Sequence, residues 1–525
     1  MKTNTKDVII AGGGLAGLSL AKQLKMQTPE LDILVVEKST FPRPETTAKV
    51  GESTVEIGSH YFTETLGMKK HFKETHLQKH GLRCFFGTPQ NDYSQQDELG
   101  VSELFGIPTY QMDRGVIENY LYREVKSMDV EVIDGATTQE LRLGNGNHQI
   151  VVDTAQGQKK FTGKWMVDAA GRQKLLKNQL GLDKQNEHKG NAVWFRIDKR
   201  IVIDEWSDNP DWQNRLKQKG KRWLSTNHLM GPGYWVWIIP LGTGATSIGI
   251  VMDDQALADS GIESFDDTIR WLEKNQPKCA EAVSGAKVLD FNLIRGYSYG
   301  CTQMFSETGW GLTGEAGAFT DPFYAPGSDF IALNNTFMTH LIGQSKQGKD
   351  IRLDSAVFHI FYNSFFENTL SLYTDQYGGF GDRKMMAIKL LWDYAYYWGV
   401  LTLLFYQDAI TDIQLMRTIN PILKVAQNLN AELQKKMKVR AAKRIVLPAQ
   451  GLFLDQYLIP CMTYFNDVLK NKESLDMHQA LADNVAILER IARYLDEMLD
   501  ENASKTISND ERELFGDYRL MVLAN

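Results

Sequence analysis

The chain opens on a short apolar run, Val8 to Ala11, then glycines, then apolar positions at Leu18, Ala21 and Leu24. The switch from a continuous run to a spacing of three and four predicts a buried strand, a tight turn and a helix. A second run, "DILVVE", predicts a strand ending at Glu37. "FPRPETTAKVGESTVEIGSHYF" reads as a loop followed by a helix starting near Ser53 or Thr54. "LQKHGLRCFFG" (Leu77–Gly87) reads as a strand carrying one lysine, Lys79. The β-branched and aromatic runs "NAVWFRI", "GYWVWIIPL" and "ATSIGIVM" predict a separate β-sheet across residues 188–300. Between these strands and the end of that region, "ESFDDTIRWLEKN" takes helical spacing, with Ser264 placed as N-cap and Asp267 three residues on. From about 355 to 500 helical periodicity dominates, rich in aromatics and methionine.

Composition narrows the classes. The 525 residues are 43% hydrophobic and 23% charged, an ordinary globular balance that predicts two or three domains. A net charge of -7 with no basic block argues against a nucleic-acid partner. Four scattered cysteines with no CxxC pair point to a reducing, cytoplasmic setting rather than to disulfides or zinc. The first apolar run is too short and lacks a cleavage site, so it is not read as a signal peptide. The stretch Tyr394–Gln407 is free of charge for only 14 residues, short of the roughly 20 a spanning helix needs. It is read as a buried or ligand-facing helix, with contact at a membrane surface left open. There is no HExxH, the ten histidines do not cluster, and no metal site is expected.

The chemistry starts at Gly12-x-Gly14-x-x-Gly17. Between a strand and a helix, with Glu37 twenty residues further on, this is the dinucleotide arrangement. Gly12 allows the turn, Gly14 lets a pyrophosphate approach the backbone, and Gly17 lets helix and strand pack closely. The phosphates then meet the helix N-terminus, and Glu37 can accept from a ribose. Later blocks favour FAD. "KWMVDAAGR" is a strand ending at Asp168 with a second close approach, and "GWGLTGEAGAFTDPFYAPGSDF" is a strand, an acidic turn and a helix start. With Asp113-Arg114 before a helix, these blocks resemble flavoproteins of the p-hydroxybenzoate hydroxylase type, with Glu315 where that group usually has Asp. The expected fold class is α/β: a Rossmann-like FAD domain, an inserted β-sheet substrate domain and a mostly α-helical C-terminal region. The expected boundaries are 1–187 (with an insertion at about 60–107), 188–300, 301–350 and 351–525. Gly12, Gly14, Ala16, Gly17, Glu37, Lys38, Gly51, Glu52, Ser53, Arg114, Asp168, Gly314, Glu315, Asp321, Pro322, Gly327 and Ser328 are the expected FAD contacts. No second GxGxxG is seen for a nicotinamide cofactor.

Within this group the chain resembles the flavin-dependent halogenases. "KVGEST" (Lys49–Thr54), "QKHGLRCFFG" and "YWVWIIP", with Trp235, Trp237 and Pro240, look like that family's blocks, in order, over roughly residues 7–345. The resemblance implies that reduced flavin and O2 give a C4a-hydroperoxide and that chloride or bromide attacks it. The hypohalous acid then reaches Lys79, which delivers electrophilic halogen to an electron-rich carbon. It also implies a separate flavin reductase as partner. Two tryptophans at i and i+2 share one strand face and can wall an organic substrate away from the flavin.

The chain also departs from the family. After Asp321-Pro322, Tyr324 stands where the tryptophan-type enzymes carry a glutamate. A phenol supplies its own activation by deprotonation, so the expected substrate is a phenolic or other electron-rich aromatic, possibly hydrophobic or carrier-tethered. Pro326 removes an N–H from the turn in which the family holds halide, leaving Gly327 and Ser328, and Asp329 is unfavourable there unless it points away. Trp392, Tyr394, Tyr396, Tyr397, Trp398, Phe405 and Tyr406 could cover a substrate or only pack helices. Two other readings stay open: a monooxygenase or reductase of the same fold acting on a hydrophobic substrate, and a non-catalytic FAD-binding partner.

Overall fold

The computed structural model describes residues 4–47, 49–87, 92–470, 476–500, 503–504 and 506–523. It divides into two compact units. The first comprises 1–76, 112–186 and 298–367; the second comprises 77–111, 187–297 and 368–525.

The first unit is built on an eight-stranded sheet. Trp310–Leu312, Gly157–Asp168, Asn4–Ala11, Ile33–Val36 and Glu131–Ile133 run parallel, with Asn4–Ala11 at the centre. Val8, Ile9, Ile10 and Ile33 to Val35 are fully buried, as expected of strands covered on both faces. Helix Leu15–Gln27 packs through Leu18, Leu20, Ala21 and Leu24. The helix expected near Ser53 begins instead at Glu56, with Val55 as its N-cap. Ser53 and Thr54 are buried in the loop before it.

The second unit holds another eight-stranded sheet, in the order 288–294, 191–197, 246–252, 234–240, 226–231, 82–86, 97–100, 453–455. Its first five strands are antiparallel neighbours, while Thr226–Gly231 runs parallel to Leu82–Phe86. Alternation sorts its faces. Val236, Ile238, Leu229, Ile248 and Ile250 join a core with Phe195, Trp206, Trp212 and Leu272. Trp235 and Trp237 point the other way. Leu272 comes from helix Phe265–Asn275, whose start is capped as the sequence predicts: Asp267 N donates to Ser264 Oγ, and Ser264 Oγ donates to the Asp267 carboxylate. The helical region is not purely helical, because Phe453–Asp455 adds an edge strand to the sheet. Tyr394–Gln407 is buried for most of its length and winds as a π-helical turn over Tyr397–Thr402. Among the described residues no helix is long and apolar enough to cross a membrane.

Candidate functional site

In the first unit the glycine turn is fixed by close backbone contacts. Gly12 has φ +116°, and a Cβ there would lie 2.3 Å from the Ala169 carbonyl oxygen. A Cβ on Gly17 would lie 1.9 Å from the Gly12 oxygen, so helix and strand meet at atomic contact. Gly14 differs: beyond it the nearest atom is Lys49 Nζ, at 3.9 Å from an ideal Cβ. Gly14 is also the N-cap of helix Leu15–Gln27 and supplies no side-chain acceptor. The helix therefore presents its first N–H groups to an open cradle beside an ammonium, which fits a pyrophosphate.

Charged side chains gather around that cradle. Glu37, at the end of Ile33–Val36, accepts from Gly13 N (2.7 Å) and Ser39 N (2.9 Å) and pairs with Arg43 (3.1 Å). Glu118 is fully buried and receives Arg43 (2.5 Å), Lys49 (2.8 Å) and Arg114 (2.8 Å). Arg114 also donates to the Val50 carbonyl beside Gly51. The Nε atoms of Arg43 and Arg114 are buried and meet no acceptor among the described residues, a donor set that suits an anionic cofactor. Arg43, Lys49 and Glu118 are absent from the contacts expected from sequence. The one local signal was the four-residue spacing of Arg114 and Glu118 on a helix.

The remaining expected contacts lie as follows. Ala16 packs against Gly314, whose own Cβ would sit 3.0 Å away. Lys38 is exposed, and Glu52 and Ser53 are buried. Asp168 is fully buried and accepts from Ala170 N (2.9 Å) and Leu176 N (2.8 Å); burial pushes its pKa up to about 6. Its carboxylate thus ties down the loop after the strand. Glu315 pairs with Arg172 at 2.7 Å. Asp321 accepts from Phe323 N (2.9 Å), while Pro322 and Tyr324 are half-buried. Ala325 takes φ +55°, and Pro326 is the N-cap of helix Gly327–Lys346, accepting from Phe330 N. Nothing would touch a Cβ on Gly327. The Asp329 carboxylate accepts from Gly58 N (2.8 Å) in the first turn of helix Glu56–His60, so it is engaged on that second helix.

In the second unit Lys79 does not lie within a continuous strand. Leu77–Gln78 ends before it, and Gly81, at φ +68°, separates it from Leu82–Phe86. Lys79 N donates to Thr109 O, His80 N to Leu224 O, and Thr226 N to Gly81 O. These bonds peg both sides of a short connector. The Lys79 side chain is buried, at 3% exposure. His228, in the strand Thr226–Gly231, is its electrostatic neighbour: burial, and then the Lys79 ammonium, push this imidazole down to about 3, so it stays neutral at ordinary pH. Its ring lies 5.2 Å from that of Trp235, and Trp235 lies 5.8 Å from Trp237. Trp237 donates to Ser247 Oγ (3.2 Å), and its ring covers Gly249 on the next strand, where a Cβ would fall 2.2 Å from it. Pro240 closes the strand opposite Thr246. The arrangement is a buried amine, a neutral imidazole and an indole pair on one local framework. It places an amine donor in a dry site.

The FAD binding domain family matches residues 5–256. The flavin-dependent halogenase chlA of Dictyostelium discoideum is 26% identical over 453 residues, covering 76% of this chain and 70% of that one. A 1H-pyrrole-2-carbonyl-[peptidyl-carrier protein] chlorinase of Pseudomonas fluorescens is 26% identical over 358 residues, covering 64% and 75%. In fold, the crystal structure of halogenase PltM in complex with phloroglucinol and FAD superposes with a TM-score of 0.66 at 15% identity, covering 94% of this chain and 97% of that one. The protein is thus a flavin-dependent oxidoreductase with FAD as its cofactor. Within that class, the chain is similar to flavin-dependent halogenases.

Proposed function

We propose that the protein transfers electrophilic chlorine or bromine to an electron-rich aromatic, a phenol or a carrier-bound ring, with Lys79 as the catalytic residue. The single observation behind this reading is the burial of Lys79 beside neutral His228 and the Trp235–Trp237 pair. A lysine at 3% exposure is rarely kept without a partner or a task. Bound FAD supplies the oxidising equivalent, drawn from O2, that turns halide into an electrophile. The chain's residues do the rest. Gly327 and Ser328 offer first-turn N–H groups to halide, and the turn of Asp329 toward Gly58 supports this by keeping a carboxylate off the anion. The indoles exclude organic substrate from the oxidant, and Lys79 holds the halogen electrophile by hydrogen bond or as a haloamine. Tyr324 in place of a carboxylate favours a substrate that activates its own ring by deprotonation. The carrier-bound option draws support from the pyrrolyl-carrier chlorinase and a related brominase of Pseudoalteromonas luteoviolacea.

The test supplies FAD, a flavin reductase, O2, bromide or chloride, a panel of phenols and a carrier-bound pyrrole, and reads products by mass spectrometry. Halogenated product from the wild type, lost in Lys79→Met with FAD affinity unchanged, is expected. Oxygenated product without halogen, or halogenation surviving in Lys79→Met, overturns the reading.

A further inference from the structure

The charges around the glycine turn are nearly balanced. Arg43, Lys49 and Arg114 bring three positive charges, and Glu37 and Glu118 bring two negative ones. Glu37 has local work, holding Gly13 N and Ser39 N at the end of its strand. Among the described residues, the Glu118 side chain bonds only to the cations themselves. One oxygen takes Arg43 and Lys49, and the other takes Arg114. It lies one turn along the helix that starts at Arg114, fully buried, while Lys49 is 34% and Arg114 14% exposed. Lys49 therefore lies between a fixed buried carboxylate and the open cradle over Gly14, while Arg43 donates to Gly13 O (3.2 Å) and Arg114 lies against Gly51.

We propose that Glu118 is an internal competitor for the cofactor's pyrophosphate: it aligns the three cations and, by neutralising one of them, keeps FAD binding weak enough for the cofactor to exchange. A diester pyrophosphate carries two negative charges, and the site offers it a net single positive charge. Without Glu118 the net charge rises by one, the empty site repels itself more strongly, and the anionic ligand gains attraction. Stability of the empty protein and affinity for FAD thus move in opposite directions. Loss of an ordinary structural carboxylate would lower both.

The experiment compares wild type with Glu118→Gln, which keeps the shape and removes the charge. FAD and riboflavin are titrated by flavin fluorescence, and melting temperatures are read with and without FAD. The expected result is a lower melting temperature for the empty variant and FAD bound about tenfold more tightly, the scale of one added charge at a partly buried site. Riboflavin, which has no phosphate, should bind equally to both proteins. FAD bound equally or more weakly by the variant overturns the proposal, and so does a parallel gain for riboflavin. If neither Glu118→Gln nor Glu118→Asp folds, the residue is architectural and the proposal also fails. None of these readouts needs turnover, so the result is independent of whether Lys79 halogenates.

Discussion

Each unit contains a fully buried glutamate ringed by three cationic side chains, and the two rings differ in what else they touch. In the second unit Glu98 binds Arg83, Arg222 (2.9 Å) and Arg215 (3.1 Å). Most spare donors of those arginines are taken by protein: Arg83 by Val101 O (2.7 Å) and Ser225 Oγ (3.3 Å), Arg222 by Trp212 O (2.6 Å), Arg215 by Gly451 O, while Arg222 Nη1 is buried with the Asp204 carboxylate 3.7 Å away. Ser225 in turn donates to His80 O (2.8 Å), one residue from Lys79. The Glu118 ring ends on an open cradle, with buried Nε atoms lacking acceptors. A closed ring of charge braces the lysine connector, and an open one awaits an anion. Access to an open cradle, rather than the number of ion pairs, separates the two roles.

The contrast can be broken most forcefully at Glu98. Glu98→Gln leaves three guanidiniums facing each other in a dry site and should cost about 3–5 kcal/mol in denaturant unfolding, while FAD affinity of the folded protein stays unchanged. A loss below about 1 kcal/mol would show that this ring is not a brace. Acid titration sharpens the same point. Burial alone would raise the Glu98 carboxyl, but Arg83 and Arg222 outweigh it and hold the group below its ordinary 4.5. Its contribution is therefore complete above pH 4.5 and falls away as pH drops through the lower folded value. The stability gap between wild type and Glu98→Gln should narrow on acidification below that point; a constant gap would contradict the assignment. At the open ring, Lys49→Met should weaken FAD about fivefold, near 1 kcal/mol, with little change in melting temperature. The smallest effect is that of salt: going from 0.1 to 0.5 M should weaken FAD a few-fold by titration, yet barely shift the Glu98→Gln destabilisation, because the closed ring is shielded from ions.

Much of the cofactor half was legible because its constraints are local. Gly12, Gly14 and Gly17 fall within six residues, and their spacing encodes contacts that the strand, turn and helix make with one another. The two faces of Tyr234–Pro240 were likewise readable from alternation, and the Ser264 cap from a three-residue spacing. What stayed hidden is set by chain segments far apart in sequence. Arg43 and Lys49 meet Glu118 across 75 and 69 residues, and no local pattern announces the meeting. His228 approaches Lys79 because the strands Leu82–Phe86 and Thr226–Gly231 run parallel, a pairing that requires a long crossover and leaves no short-range signature. Lys79 looked like a strand residue because its neighbours are apolar or β-forming; the positive φ of Gly81 ends that strand early. The edge strand Phe453–Asp455 is three residues long inside a helical region, below what periodicity can resolve.

The indole of Trp237 resting on the bare backbone of Gly249 has an evolutionary consequence. A single methyl group on the adjacent strand would tilt that ring without altering either tryptophan. Sequence change at position 249 alone can thus reshape this wall while both tryptophans stay in place.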